Sequence, residues 1–343
     1  MRAAVFHGAR DVRIENVPDP VAPTPGEVVL EVTRAAICGT DASEWDHGPV
    51  LCLPGVVLGH EFVGRIVQLG DDVAALHVGY RVVSGAGISC GRCPWCLSRR
   101  TNLCAEYRTL GLQVDGGLAE YVASPAAICR VVPETCDDDA AAMAQPLAVA
   151  LHALSRVAQG PDDAVAVIGT GGIGSFIVAG ASRRTVNGRV VAIDIDDDRL
   201  ATASALGADE TANASDHDLA ELLLDLTNGV GFDVVIEASG APHAPSAAIA
   251  GARRGGRVLL VGLHGAPRAI DLTPMILREV NIITTVAHVC DSDIPAALEL
   301  LAGSDVAAVT AGQRISLDAL VEDGLRPLAE RRAAGKILVN PAA

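Results

Sequence analysis

At 343 residues the chain is long enough for two domains, and with half of its residues apolar it can bury a sizeable core, which excludes extensive disorder. Its 42 acidic against 26 basic residues give a net charge of −16. That charge repels phosphate backbones and argues against nucleic acid as a partner.

Residues 1–35 alternate as strands do: "AAVF", "VRIENV" and "EVVLEVTRAAI", with the proline-rich turn "PDPVAPTPGE" over 18–27. "FVGRIVQLG" and "VGYRVVS" continue this texture to about residue 88, where a cysteine-rich lobe, 89–104, interrupts it. "GGLAEYVASP" and "ICRVVPE" return to short strands, so this half predicts a mostly antiparallel β domain. From about residue 137, "DDDAAAMAQPLAVALHALSRV" carries acids at its front and apolar residues at helical spacing. Strands then alternate with helices: "AVAVIGTG", "GIGSFIVAGASRR", "RVVAIDID", "DRLATASALGA", "HDLAELLLDLT", "FDVVIEASG", "APSAAIAGARRG" and "GRVLLVGL". That order implies a doubly wound parallel sheet and makes the whole chain an α/β protein. The tail closes on another strand, "AGKILVNP". The apolar run 164–181 is long enough to mimic a membrane span, but its five glycines split it into a buried strand and a buried helix. With no cleavable-signal pattern at Met1–Phe6, the expectation is a cytoplasmic protein without a membrane partner.

Cys90, Cys93, Cys96 and Cys104 follow the spacing C-x2-C-x2-C-x7-C, which lets four thiolates converge on one tetrahedral ion. Zinc suits that shape, and a closed four-sulfur shell is structural because it leaves no open position. The bacterial iron–sulfur run closes with a three-residue gap, not seven, and disulfides are disfavoured where thiols stay reduced. Cys52, Cys129, Cys136 and Cys290 lack such spacing and read as small buried hydrophobes.

Gly169, Gly171 and Gly174, with Gly172 and Ile173 between them, match G-x-G-x-x-G directly after the strand "AVAVI" and at the start of a helix. The first glycine allows the tight turn, the second lets a pyrophosphate approach the backbone, and the third allows close helix packing. The pyrophosphate then meets the positive end of the helix. Asp194, at the end of the next strand, can accept hydrogen bonds from ribose hydroxyls and repel a 2′-phosphate, which favours NAD over NADP. Asp196, Asp197 and Asp198 add to the repulsion; Arg199 can pair with a phosphate or stack on adenine.

"CGTD" at 38–41 and "GHE" at 59–61 supply a cysteine, a histidine and a carboxylate, a set able to hold a second zinc with one position open for Lewis-acid chemistry. At this point the chain resembles the zinc-dependent medium-chain dehydrogenases, more narrowly their polyol, butanediol and threonine dehydrogenase branch. The resemblance spans almost the whole length and rests on "CGTD", "GHE", "CGRCPWC…C", "QPLAVALHA", "GTGGIG", "FDVVIEASG" and "AGKILVNP". It implies a GroES-like catalytic domain, 1–146 plus 286–343, and a Rossmann NAD-binding domain, 147–285, with the active site in the cleft between them. It implies Cys38 and His60 as zinc ligands, Glu61 as a third ligand or a close neighbour, Thr40 as the start of a proton relay and Asp41 as the group orienting His60. It also implies two zinc ions per chain and a homotetramer, with a dimer next.

Two departures from the branch stand out. Gln145 occupies a position where glutamate is common, so it is a weaker, neutral candidate ligand, and charge balance falls on Glu61. Ser43 stands where a histidine often passes the proton to solvent, with His47 as a candidate substitute. The expected reaction is NAD-linked oxidation of a small secondary alcohol (a polyol, vicinal diol or cyclitol) to a ketone, or the reverse, by hydride transfer from a zinc-bound alkoxide. Glu44, Trp45, His47 and His288 are pocket candidates by position. Rival readings are a zinc-free enone or quinone reductase, an epimerase or lyase that retains its NAD, and a non-catalytic NAD-binding protein.

Overall fold

The computed structural model describes residues 1–21 and 23–343. The proline-rich turn expected over 18–27 runs through Ala22, which lies outside the described residues. The chain forms two compact units, one of Met1–Ala148 with Val289–Ala343 and one of Val149–His288.

The first unit opens on the hairpin β1 (Arg2–Gly8) and β2 (Asp11–Asn16), then β3 (Glu27–Ala36). Helix α1 (Gly39–His47) follows, then β4 (Glu61–Leu69) and β5 (Arg81–Ser84). The lobe lies between the short strands β6 (Gly87–Ile88) and β7 (Arg108–Thr109), which pair, and contains the single-turn helix α2 (Pro94–Leu97). β8 (Tyr121–Pro125) and β9 (Cys129–Val131) precede helices α3 (Asp138–Ala141) and α4 (Ala144–Val157). β3 is the hub of the sheet, flanked by β4 and β8 in antiparallel register, and its apolar residues Val28, Val29, Leu30 and Val32 are buried there.

The second unit is a six-stranded, all-parallel sheet. Its strands are β10 (Ala164–Ile168), β11 (Arg189–Asp194), β12 (Glu210–Asn213), β13 (Phe232–Glu237), β14 (Ala252–Leu260) and β15 (Asn281–Thr284), in the order β12-β11-β10-β13-β14-β15. The order reverses beside β10, the point where such sheets bind dinucleotides. Helix α5 (Gly172–Arg184) follows β10, so the run 164–181 divides into strand and helix as its glycines imply. No helix among the described residues is long and apolar enough to cross a membrane. The core of this unit, around Ile168, Val191, Ile193, Leu223, Phe232, Val235 and Val258, explains why the central strands are continuous apolar runs.

In this unit two strands escaped the sequence pattern, β12 and β15. Both are sheet edges, and β15 is mostly exposed, so neither carries the apolar run that marks a buried strand. The helix expected over 244–255 stops at Gly251; β14 begins at Ala252 with a register shift opposite Phe232/Val234, and Arg253 pairs with Asp233 of β13 at 2.5 Å. The tail returns to the first unit as β16 (Ala311–Ser316) and β17 (Lys336–Asn340); β17 lies antiparallel against β3.

Candidate metal centres and dinucleotide site

Cys38 caps the N-terminus of α1, where its backbone N–H donates to Asp41 Oδ2 at 2.9 Å. Thr40 Oγ1 lies 3.6 Å from Cys38 Sγ. His60 and Glu61 enter at the start of β4, after Gly59, whose φ of +97° and whose approach to Leu118 (2.7 Å from a built Cβ) leave no room for another residue. In the β3–β4 register Ala36 faces Glu61, and in the β3–β17 register Ala36 faces Leu338. The starts of β4 and β17 therefore meet at the end of β3 where Cys38 stands.

One ligand atom each from Cys38, His60 and Glu61 lies within 4.8 Å of the others. His60 and Glu61 are buried, as is Asp41. His60 Nδ1 and Asp41 Oδ1 lie 3.6 Å apart, beyond a hydrogen bond, and neither atom has another hydrogen-bond partner among the described residues. Burial disfavours a charged imidazole, yet Asp41, Cys38 and Glu61 together outweigh it and push His60 up to about 10. Burial also raises Asp41. A buried concentration of negative charge around a sulfur, an imidazole and a carboxylate is the donor set of an open zinc site. The expected Asp41–His60 partnership is present as proximity, with Asp41 fixed chiefly by the Cys38 N–H.

Glu61 has a partner the motif reading did not identify. Lys336 Nζ, at the start of β17, lies 2.8 Å from Oε1 and 2.5 Å from Oε2, with the two side chains 10% and 1% exposed. The signal was available: Lys336 is the one lysine in a chain whose other 25 bases are arginine, and it stands inside "AGKILVNP".

The second cluster brings the sulfurs of Cys90, Cys93, Cys96 and Cys104 within 4.8 Å of one another, and none of these cysteines is in a disulfide. Backbone N–H groups of Cys90 and Glu106 point at Cys104 Sγ from 3.2 and 3.3 Å. Those of Cys96 and Ala105 pull Cys93 down to about 6, while desolvation and the Cys93 sulfur raise Cys96 to about 11. With zinc bound all four become thiolates. Replacing Cys96 by serine is expected to remove about one zinc per chain and to lower the thermal midpoint by about 5 °C or more. Metal analysis with calorimetry checks this, and an unchanged zinc content rules the cluster out as a metal site. Cys52, Cys129, Cys136 and Cys290 are buried, as their lack of ligand spacing predicts.

In the second unit, Gly169 turns at φ +86°, and a Cβ there would lie 2.6 Å from Ser239 Cα. Gly171 caps α5, and neither it nor Gly172 has any atom within 4 Å of a built Cβ, so this face of the turn is open to a ligand. Ile173 lies in the first turn of α5. Asp194, 7% exposed, ties the loop to β11: Oδ2 accepts from the Thr170 N–H (2.6 Å) and Oγ1 (3.2 Å), and Oδ1 from the Ile195 N–H (2.8 Å). Arg199 lies 3.9 Å from Asp194 and 4.0 Å from Asp196.

The remaining candidates separate. Gln145 lies half-buried in the first turn of α4, and Ser43 is exposed on α1, three residues beyond Thr40. His47 is 76% exposed beside Asp46. Glu44 and Trp45 are structural. Glu44 accepts the N–H groups of Val50 and Leu51 at 2.8 and 2.7 Å; Trp45, 2% exposed, has the guanidinium groups of Arg10 and Arg326 against its ring at 4.9 and 5.4 Å. His288 is buried.

Two family models match the chain, "Alcohol dehydrogenase GroES-like domain" over residues 24–134 and "Zinc-binding dehydrogenase" over 172–303. Sorbitol dehydrogenase of Bacillus subtilis (strain 168) is 33% identical over 267 residues, 77% of this chain and 75% of its own length. The crystal structure of 2R,3R-butanediol dehydrogenase from Bacillus subtilis superposes with a TM-score of 0.90 at 28% identity, covering 99% of both chains. A Sinorhizobium meliloti 1021 protein described as a zinc-binding dehydrogenase, bound to NADP, does so with a TM-score of 0.90 at 30% identity, again over 99% of both chains.

Proposed function

The chain belongs to the zinc-dependent medium-chain alcohol dehydrogenases, in their polyol, butanediol and threonine dehydrogenase branch, and from that membership we propose how its own residues run the reaction. The protein catalyses zinc-dependent, NAD(P)-linked oxidation of a secondary alcohol to a ketone, or the reverse. The first unit is the catalytic domain and the second the coenzyme domain. The reading is carried by the meeting of Cys38, His60 and Glu61 within 4.8 Å.

Zinc, when bound, supplies Lewis acidity that lowers the pKa of a hydroxyl, as it lowers that of water from about 16 to about 7. Cys38 and His60 hold the metal, with Glu61 beside them and Gln145 as a weak neutral donor. Asp41 neutralises part of the local positive charge and fixes the Cys38 backbone. Thr40, beside the Cys38 sulfur, accepts a hydrogen bond from the substrate hydroxyl and starts its proton outward. Ser43, three residues along the same helix and exposed, passes it to water. The open backbone at Gly171 and Gly172 receives the coenzyme pyrophosphate, with Gly169 and Gly174 holding the turn. A second zinc in the 89–104 lobe is structural.

The proposed coenzyme is NAD. Asp194 is buried with both oxygens already accepting, and Asp196, Asp197 and Asp198 follow it, so a 2′-phosphate meets negative charge and little spare donor capacity; Arg199 is engaged by Asp194 and Asp196. The proposed substrates are polyols, vicinal diols or cyclitols, in keeping with the branch. A homotetramer and a cytoplasmic location belong to this reading, and the four-thiolate lobe supports the second because it requires reducing surroundings. The zinc-free reductase and the redox-neutral epimerase or lyase are not favoured, because the metal donor set is complete.

The test is coenzyme reduction with vicinal diols, polyols, cyclitols and β-hydroxy amino acids, each with NAD and with NADP. We expect turnover on at least one diol or polyol, and kcat/KM about 100-fold higher with NAD, the scale of a like-charge contact of several kcal/mol. Equal rates with NADP would overturn the coenzyme assignment; no turnover across the panel by zinc-replete protein would overturn the substrate class.

A further inference from the structure

We infer that Lys336 is a positioning residue that holds the Glu61 carboxylate off the catalytic metal, so that Cys38 is its one anionic protein ligand. This rests on the zinc reading of the Cys38–His60 site and adds to it the identity of the ligand shell. Glu61 stands within 4.8 Å of the Cys38 and His60 donor atoms, close enough to ligate, yet Oε1 accepts a hydrogen bond from Lys336 Nζ at 2.8 Å, and Oε2, without a hydrogen-bond partner among the described residues, lies 2.5 Å from the same ammonium. The pair is buried, and a buried carboxylate needs a cation; at this position the choices are the ammonium and the metal. Lys336 arrives by strand register, since β17 lies against β3, which pairs with β4 and runs into Cys38. Zinc and Lys336 bring three positive charges against the three negative ones of Cys38, Asp41 and Glu61, and Gln145 adds none. The resting site is thus neutral without Glu61 binding the metal. A zinc with one anionic ligand stays electron-poor and polarises a hydroxyl more strongly than one with two.

The experiment uses the full-length holoenzyme with cobalt selectively exchanged into the Cys38–His60 site and zinc kept in the lobe. Its readouts are the cobalt d–d absorption spectrum and the rate of metal release to a chelator. Lys336→Met leaves Glu61 only the metal as counter-ion. We expect a shifted spectrum and release slowed by about tenfold, the scale on which groups behind the ligands tune metal affinity. Lys336→Arg keeps the charge and should keep the wild-type spectrum. Lys336→Met with Glu61→Gln should return the spectrum to the wild-type form. Glu61→Gln alone should leave the spectrum unchanged, and this variant decides the matter if Lys336→Met does not fold. A wild-type spectrum in folded Lys336→Met, or an altered one in Glu61→Gln, overturns the inference. Failure of the underlying zinc reading is distinguishable, because Cys38→Ser would then take up as much cobalt, with the same spectrum, as the wild type.

Discussion

Replacing Cys38 by serine is expected to lower kcat/KM by about a thousandfold or more, the roughly 4 kcal/mol or more that Lewis-acid polarisation supplies to such a reaction. Serine keeps the shape of the side chain but gives up the thiolate, the one soft anionic donor at the site. His60 and Glu61 remain, and Glu61 is held by Lys336. Zinc content should fall from about two per chain to about one, because the lobe cysteines form a separate cluster. Stability to urea and affinity for NADH should change little, since Cys38 is half-buried and its fold contact is a backbone N–H to Asp41, which serine also provides. Metal analysis, NADH fluorescence titration and steady-state kinetics read these separately. Retention of both zinc ions together with loss of activity would show that Cys38 is not a ligand. Loss of stability like that expected for Cys96→Ser would show that the two clusters do not divide the labour.

The second large effect is expected in the glycine turn, where two substitutions separate fold from function. Gly174→Ala places a methyl 1.8 Å from the Gly169 carbonyl oxygen. That oxygen is backbone, and Gly169 is itself confined by φ +86° and by Ser239, so the turn must move. We expect destabilisation of about 2–3 kcal/mol, the overpacking range, together with weaker coenzyme binding. Gly171→Ala meets no atom within 4 Å, and its φ of −67° suits alanine. It should leave the thermal midpoint unchanged while weakening NAD binding by about tenfold or more, because the methyl occupies the approach of the pyrophosphate. Calorimetry and isothermal titration of both variants check this. Normal NAD affinity in Gly171→Ala would move the pyrophosphate away from the turn.

Much of this was legible in the residues. The spacing of Cys90, Cys93, Cys96 and Cys104 makes them neighbours within a single lobe, and the glycines of 169–174 act within one strand–turn–helix. Such features are local, so chain geometry alone brings the groups together. The strands β10, β11 and β13 were legible because burial on both faces demands continuous apolar runs. The edge strands β12 and β15 were not, because a one-sided environment imposes no such run. Glu44 and Trp45, pocket candidates by position, are used up in the loop after α1 and in the packing of two arginines.

The sequence by itself determined the donor types, the dinucleotide turn and the β-rich and alternating halves, because each is written in spacings of a few residues. The tertiary structure alone decided that Lys336 meets Glu61 across 275 positions and that Asp194 laces the glycine turn to β11. These pairs are created by strand register and by packing between distant segments, and no short-range spacing encodes either.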